Sequence, residues 1–374
     1  MLKEILLLNP IYVTIFWAFV LNTNNRSKHL PKVFLGIFMV VASAVYISHF
    51  LYFTHRFVEY FYADSIYTLA YLSVYPLYHI YVRLLTVDSK ISIQKHGPYL
   101  LVPIILFVAT LAGYIIMGKE GGINFIESIL VQGKKPHGFQ VYMFSLFVIG
   151  RIVFLLQTAI YLILSFKLIR ANNIRLQDYY SNMDDRKLNW VQFFNISFAF
   201  TSVSSAVLAS IGRNVFLQNE ILLVFPSVVF TLMLFFIGLL GYRQLAIFTE
   251  INRFIEIPEE SKPPHRLKEK LDNLFEREKI FKNPDLKIWD VSSMLGTNRT
   301  FVSRIINSEY GRNFCTHVNY YRVASAKMFI KNNRNLSNEQ IAELSGFCSV
   351  NSLYRAFLNS EGMSLGQFRR QVLG

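Results

Sequence analysis

Seven long apolar runs stand in the first 242 residues of the chain, at roughly 5–21, 33–53, 63–85, 98–117, 139–166, 190–211 and 221–242. Each is near the ~20 residues that cross a hydrocarbon core. Lipid offers a backbone no hydrogen-bond partner, so a crossing segment of this length must satisfy its own N–H and C=O groups as a helix. The runs carry no polar stripe, unlike the helices of a soluble bundle. Tyr52, Tyr60, Tyr62, Tyr99, Trp190 and Tyr242 crowd their ends, as interfacial aromatic belts do. Residues 262–374 hold no such run.

Composition agrees. Only 17% of the residues are charged, against about a quarter in an ordinary soluble protein. With 53% hydrophobic residues, the chain has ample apolar surface to bury, which excludes disorder. Two cysteines, Cys315 and Cys348, make no disulfide framework; both are expected to be ordinary reduced thiols. With the N-terminus outside, the inner loops carry eleven Lys and Arg, from Arg26 to Lys187, and the outer segments carry six. The positive-inside rule then places the N-terminus outside and residue 243 onward in the cytoplasm. The first run is expected to stay as a span: its basic residues follow it instead of preceding it, unlike a signal peptide.

The chain divides by pattern into an apolar half, 1–242, a juxtamembrane helix and linker, 243–264, and a module of ordinary domain size, 265–374. The linker is marked by the run Glu256-Ile-Pro-Glu-Glu-Ser-Lys-Pro-Pro264, where charge and proline break any periodicity. The module repeats itself at about fifty residues. Val291-Ser-Ser-Met-Leu-Gly296 precedes Val302-Ser-Arg-Ile-Ile-Asn-Ser-Glu309, and Ile341-Ala-Glu-Leu-Ser-Gly346 precedes Leu353-Tyr-Arg-Ala-Phe-Leu-Asn-Ser-Glu361. In each copy a short amphipathic helix ends at a glycine, with a small residue (Ser292, Ala342) four before it for a close crossing. A second helix follows, anchored by apolar pairs one turn apart, Val302/Ile306 and Leu353/Phe357. This is the pattern of a helix-turn-helix, expected near 288–308 and again near 338–360. Periodicity places one long helix over Phe314–Asn332 between the copies, another through Leu267, Leu271, Leu274 and Phe281, and a last one capped by Ser364 over Leu365–Val372. The expected class is all-α: seven membrane helices followed by about seven in the module.

These residues resemble the DNA-binding domain of the AraC family of bacterial transcription regulators over 267–374. The resemblance is carried by Asn283-Pro-Asp-Leu286, Leu295-Gly-Thr-Asn-Arg-Thr-Phe-Val-Ser-Arg304, Tyr310-Gly311, Arg322-Val-Ala-Ser-Ala-Lys327, Ile341-Ala-Glu-Leu-Ser-Gly-Phe347 and Gly362-Met-Ser-Leu-Gly-Gln-Phe-Arg369. The family's usual ligand-binding module is a soluble β-barrel, so seven spans resemble a less common arrangement. The resemblance implies a regulator of the bacterial cytoplasmic membrane that binds promoter DNA.

With the anchors facing inward, the outer faces of the second helices offer Thr300, Ser303 and Arg304 in one copy and Asn351, Tyr354 and Arg355 in the other. These positions match those that read bases in the resembled family; Arg pairs with guanine and Asn with adenine. Asn298 and Ser349, at the helix starts, are positioned for phosphates. Charge falls where phosphate contact needs it. From Lys287 onward there are 11 Lys and Arg against 5 Asp and Glu, whereas 243–286 balances at 9 against 9. The expected partners are double-stranded DNA and the lipid bilayer, with a homodimer, RNA polymerase and an unknown small-molecule or membrane signal compatible with the reading. Two alternatives stay open: a receptor or transporter whose module binds a protein, and a regulator released by proteolysis near Pro263-Pro264.

In the apolar half Arg151 falls near mid-span, where an ionisable residue is a candidate sensor position; its ordinary partner would be a carbonyl, Asn195 or Gln157. His49 and His79 fit span ends. Pro76 and Pro226 are expected to kink their helices. The segment 118–138, with five glycines and one proline, reads as the largest outer loop. No metal-ligand pair at helical spacing, phosphate loop or nucleophile elbow is present in the sequence. Neither a cofactor nor an enzymatic activity is expected.

Overall fold

In a computed structural model of the chain, the described residues are 2–23, 30–183, 196, 199–200, 203, 221–243, 266–333 and 335–373. Among them every named element is a helix; one isolated bridge, Tyr180 to Lys287, is the exception. They divide into two compact units. One comprises Met1–Ile169 and Asn189–Asn252, the other Arg170–Leu188 and Arg253–Gly374.

The first unit is built from α1 (Leu2–Thr23), α2 (Leu30–Phe53), α3 (Phe57–Thr86), α4 (Ile93–His96), α5 (Leu101–Asn124), most of α6 (Phe139–Leu176) and α7 (Ile221–Arg243). α1 packs on α2 and α7, and α3 packs between α2 and α5. Among the described residues, five helical stretches are long and apolar enough to cross a membrane by length and composition: Lys3–Thr23, Leu30–Phe53, Ile93–Val131, Phe139–Leu176 and Leu222–Tyr242. They stay apolar on their outer faces, where Phe19, Ile105, Ile115, Ile116, Leu156 and Ile163 are all exposed. A water-soluble bundle would place polar residues there. The expected third span lies within α3, which is more polar. Its second half is buried almost continuously from Leu72 to Thr86, with Ser73 and His79 inside, so neighbouring helices shield its polar groups. The expected sixth span, 190–211, falls almost wholly outside the described residues, as do Asn195 and the linker from residue 244.

Where 118–138 reads as a loop, the chain is largely helical. Gly118 takes a left-handed φ of 69° that kinks α5, which then runs on to Asn124. A π-helical stretch, Phe125–Val131, follows. Phe125, Ile126 and Ile129 are buried against Tyr52, Tyr60, Tyr114 and Met143. The glycines interrupt an apolar helix without abolishing it, because Phe125, Ile126 and Ile129 have a core to enter. Beyond α3, Asp88 is held by Arg83 at 2.7 Å, Lys95 at 2.5 Å and His96 at 3.1 Å. Burial alone would raise its pKa, but the bonds from Arg83, Lys95 and His96 outweigh it and bring the carboxyl to about 2.

The module is all-α as expected: α8 (Leu267–Glu276), α9 (Ile288–Met294), α10 (Arg299–Tyr310), α11 (Phe314–Asn332), α12 (Asn338–Leu344), α13 (Val350–Glu361) and α14 (Leu365–Leu373). The first helix is shorter than its periodicity suggests. It stops at Glu276, Lys279 turns with a positive φ of 55°, and Phe281 enters the core from a 3-10 turn, Ile280–Lys282. Two cores result. Leu271, Phe275, Phe281, Val291, Val302, Ile306 and Phe314 fill one; Val323, Ile330, Ile341, Leu353, Phe357 and Leu365 fill the other. α11 contributes to both.

Candidate nucleic-acid interface

The two helix-turn-helix units are set by local chemistry at their turns. Ser337 and Gln340 form a reciprocal cap at the start of α12, and Ser349 and Ser352 do the same for α13. Asn298 caps α10, its side-chain oxygen accepting from the Phe301 N–H at 3.1 Å. Gly296 and Gly346 adopt left-handed φ of 61° and 84° between the paired helices, a conformation in which a Cβ is strained. α10 and α13 both end at left-handed glycines, Gly311 and Gly362.

Each second helix turns one face inward. Val302, Ile306, Leu353 and Phe357 are all fully buried. Removing the Ile306 side chain beyond Cβ would cost about 2–5 kcal/mol. The opposite faces carry the side chains expected to read bases. Thr300 and Arg304 are exposed on α10, with Ser303 half-buried beside them. The Ser303 hydroxyl accepts from the Asn307 amide at 3.4 Å, and the Arg304 guanidinium lies 5.5 Å from the Phe301 ring centre. On α13, Asn351, Tyr354 and Arg355 are exposed. The two outward faces are thus alike in kind: each carries one of these arginines with hydrogen-bonding side chains around it.

Asn298 and Ser349 have a structural occupation, since both spend their side-chain oxygens on their own helices. Their backbone positions at the helix starts remain those expected. Tyr354 also has a second attachment: its hydroxyl accepts from Asn338 on α12 at 2.8 Å, and the Asn338 oxygen accepts from Arg369 on α14 at 2.8 Å.

Three cations were not singled out by sequence. Arg299 opens α10 and lies 5.0 Å from the Tyr179 ring. Arg312 lies 4.0 Å from the Tyr320 ring. Arg322, on α11, is buried, and its position in the quoted motif gave no hint of that. Cys315 lies in the first turn of α11 and Cys348 in the turn before α13; neither is in a disulfide.

In the apolar unit, Arg151 is half-buried on α6, its guanidinium 4.4 Å from the Phe147 ring. His49 pairs with the Tyr67 hydroxyl at 3.1 Å. His79 is buried and pairs with the Ser165 hydroxyl at 3.0 Å. Pro76 and Pro226 lie inside α3 and α7.

A family model described as a helix-turn-helix domain, of the AraC type, matches residues 291–371. No curated protein and no solved structure matches the chain. The match spans both repeats, from Val291 at the start of the first unit to the last helix. It is a model of a DNA-binding regulator domain and not of a catalytic one. Residues 291–371 are an AraC-type helix-turn-helix domain, of the kind that binds double-stranded DNA in transcription regulators.

Proposed function

We propose that the chain is a membrane-anchored, sequence-specific transcription regulator of the bacterial cytoplasmic membrane. Its N-terminus lies outside and its DNA-binding domain in the cytoplasm. The apolar half couples a membrane or extracytoplasmic signal to promoter binding. One observation carries the DNA side of this reading: two recognition helices, each with its anchor pair buried and an arginine exposed on the opposite face. The apolar outer faces of the first unit and the basic bias of the inner loops support the membrane side. Any signal acts by favouring one helix arrangement over another, which requires different affinities for the two.

The test is chromatin occupancy of the full-length protein beside an Arg304→Ala/Arg355→Ala double variant. Discrete peaks lost in the variant are expected. Peaks unchanged by the double substitution would sink the assignment of these faces. Silence from the intact protein, with DNA binding by a released C-terminal fragment, would turn the reading toward proteolytic release. Silence from both would favour a protein-binding module.

A further inference from the structure

The connection after α6 does more than join two helices. Although residues 170–188 sit far from the domain in sequence, they belong to its compact unit. Gln177–Ser181 lies along the first helix-turn-helix as a short antiparallel strap. The Ile288 N–H donates to the Tyr179 carbonyl at 3.0 Å, the Ser181 N–H donates to the Leu286 carbonyl at 3.2 Å, and the Cys315 N–H donates to the Gln177 carbonyl at 2.9 Å. The Ser181 hydroxyl donates to the same Leu286 carbonyl at 2.6 Å and accepts from Arg322 at 3.2 Å. Gln177 also accepts from the Asn313 amide at 3.1 Å. Tyr180 is 1% exposed and meets the Trp289 ring edge-on. Tyr179 packs against the first core and lies under the Arg299 guanidinium.

These contacts fall on the starts of three helices. Ile288 opens α9, Arg299 opens α10, and Asn313 caps α11. The strap therefore grips the starts of α9, α10 and α11. It joins the domain through one antiparallel bridge, Tyr180 to Lys287, with Tyr180 as a buried aromatic anchor. At its other end it is continuous with α6, a helix of 38 residues. At 1.5 Å per residue that helix is about 57 Å long, against a hydrocarbon core of ~30 Å. α6 runs on to Leu176, immediately before Gln177.

We propose that Gln177–Ser181 is a docking strap by which the apolar half controls the first DNA-reading unit. Docked, it holds α9, α10 and the start of α11 in the reading arrangement. Withdrawn by α6, it releases them, and DNA occupancy falls. The proposal rests on the DNA-binding reading above, so its test separates the two.

The experiment uses the full-length protein in inside-out membrane vesicles, with retention of sheared genomic duplex DNA as the readout. One variant locks the strap. Ser181→Cys stands beside the native Cys315, whose Sγ is 3.5 Å from the Ser181 carbonyl, in a Cys348→Ser background. A second variant, Tyr180→Ala/Ser181→Pro, breaks it. Mild oxidation is expected to form the 181–315 disulfide readily and to leave DNA retention at least as high as in the reduced form. The broken strap is expected to lower retention roughly fivefold or more, the lower end of ordinary coupling between sites. The Ile288 and Cys315 amides should then exchange faster with solvent. Absence of the crosslink overturns the dock. So does an oxidised protein that loses DNA, or a broken strap with fast amide exchange and wild-type retention. If the broken variant does not accumulate, the locked pair alone decides. Wild-type protein that retains no DNA overturns the DNA-binding reading, and the strap's control of it, while the crosslink still reports independently whether the strap docks.

Discussion

Arg322 reaches from the middle of α11 to the carbonyl of Phe281, donating from Nε at 2.8 Å, and its terminal nitrogen donates to the Asn283 carbonyl at 2.7 Å. The side chain is 1% exposed. Among the described residues its bonding partners are backbone carbonyls and the Ser181 hydroxyl, with no carboxylate. Burial pulls its pKa down to about 10, which leaves it charged at neutral pH. The guanidinium ties the turn between α8 and α9 to α11, and its face lies 5.8 Å from the Phe347 ring of the second unit. Arg322→Met should strand those carbonyls and cost about 3 kcal/mol. Arg322→Lys should rescue little of it, since a single ammonium cannot span acceptors laid out for a planar fork. Hydrogen exchange across α8–α11 in the full-length protein measures both. Wild-type protection in the Met variant would dismiss the arginine as a structural tie.

The two turn glycines should not be equally replaceable. At Gly296 an added Cβ would meet nothing within 4 Å, so alanine there bears only the positive φ, about 1–2 kcal/mol. At Gly346 an added Cβ would lie 2.6 Å from the Lys282 Cα and 2.6 Å from the Phe281 carbonyl oxygen, backbone atoms that cannot step aside. Gly346→Ala should therefore cost about 3 kcal/mol or more and disturb the packing of one unit on the other. Comparable protection in the two variants, read by amide exchange at α12 and α13, would refute the close approach.

What the sequence made legible follows from period and repetition. The anchors Val302/Ile306 and Leu353/Phe357 are each one turn apart, so their burial and the exposure of Arg304 and Arg355 could be read directly. The bounds of α11 could be read for the same reason: an unbroken helical period between a capping Asn313 and the end at Asn332. Non-local contacts were not legible. Nothing in Gln177–Ser181 announces that it pairs with Leu286 and Ile288, because a strap this short has no period of its own. The buried role of Arg322 was hidden too, since a charged residue reads as surface until its carbonyl partners are known. The glycines of 118–138 suggested a loop because the core that Phe125 and Ile126 enter is built by α2, α3, α5 and α6, far from them in sequence or hidden from local pattern.

His317 supplies a pH dependence. It is 1% exposed, ringed by Phe275, Tyr310 and Tyr321. Among the described residues neither ring nitrogen has a hydrogen-bond partner. Burial, reinforced by the charge of Arg312, lowers its pKa to about 4. An unfolded chain titrates its histidine near 6.5. Between those values the unfolded state holds more protons than the folded one, so domain stability rises with pH across that window. The contribution is complete above pH 6.5 and is lost as pH falls through 4. His317→Phe should flatten that part of the profile. Unfolding of the domain followed at pH 4.5 and 7 checks it; an unchanged slope in the variant would show that other groups set the dependence.

Tyr354 separates base reading from scaffold support on one side chain. It is 41% exposed on the recognition face of α13, yet its hydroxyl accepts from Asn338, which also accepts from Arg369. The hydroxyl thus serves the joint between α12, α13 and α14, and the ring serves the outer face. Tyr354→Phe should loosen that joint by about 1 kcal/mol and leave the choice of DNA site unchanged. Tyr354→Ala removes the ring as well and should weaken binding at the preferred site more than elsewhere. Arg304→Ala and Arg355→Ala should each cost ~1–3 kcal/mol at that site and relax the base preference beneath them. Affinity for any duplex should fall steeply with added salt, because phosphate contact releases counterions. Titrating the full-length protein against its occupied sites and against shuffled duplexes, at two salt concentrations, distinguishes these effects. A Tyr354→Phe variant that changes site preference as strongly as Tyr354→Ala would move the hydroxyl from the scaffold to the DNA.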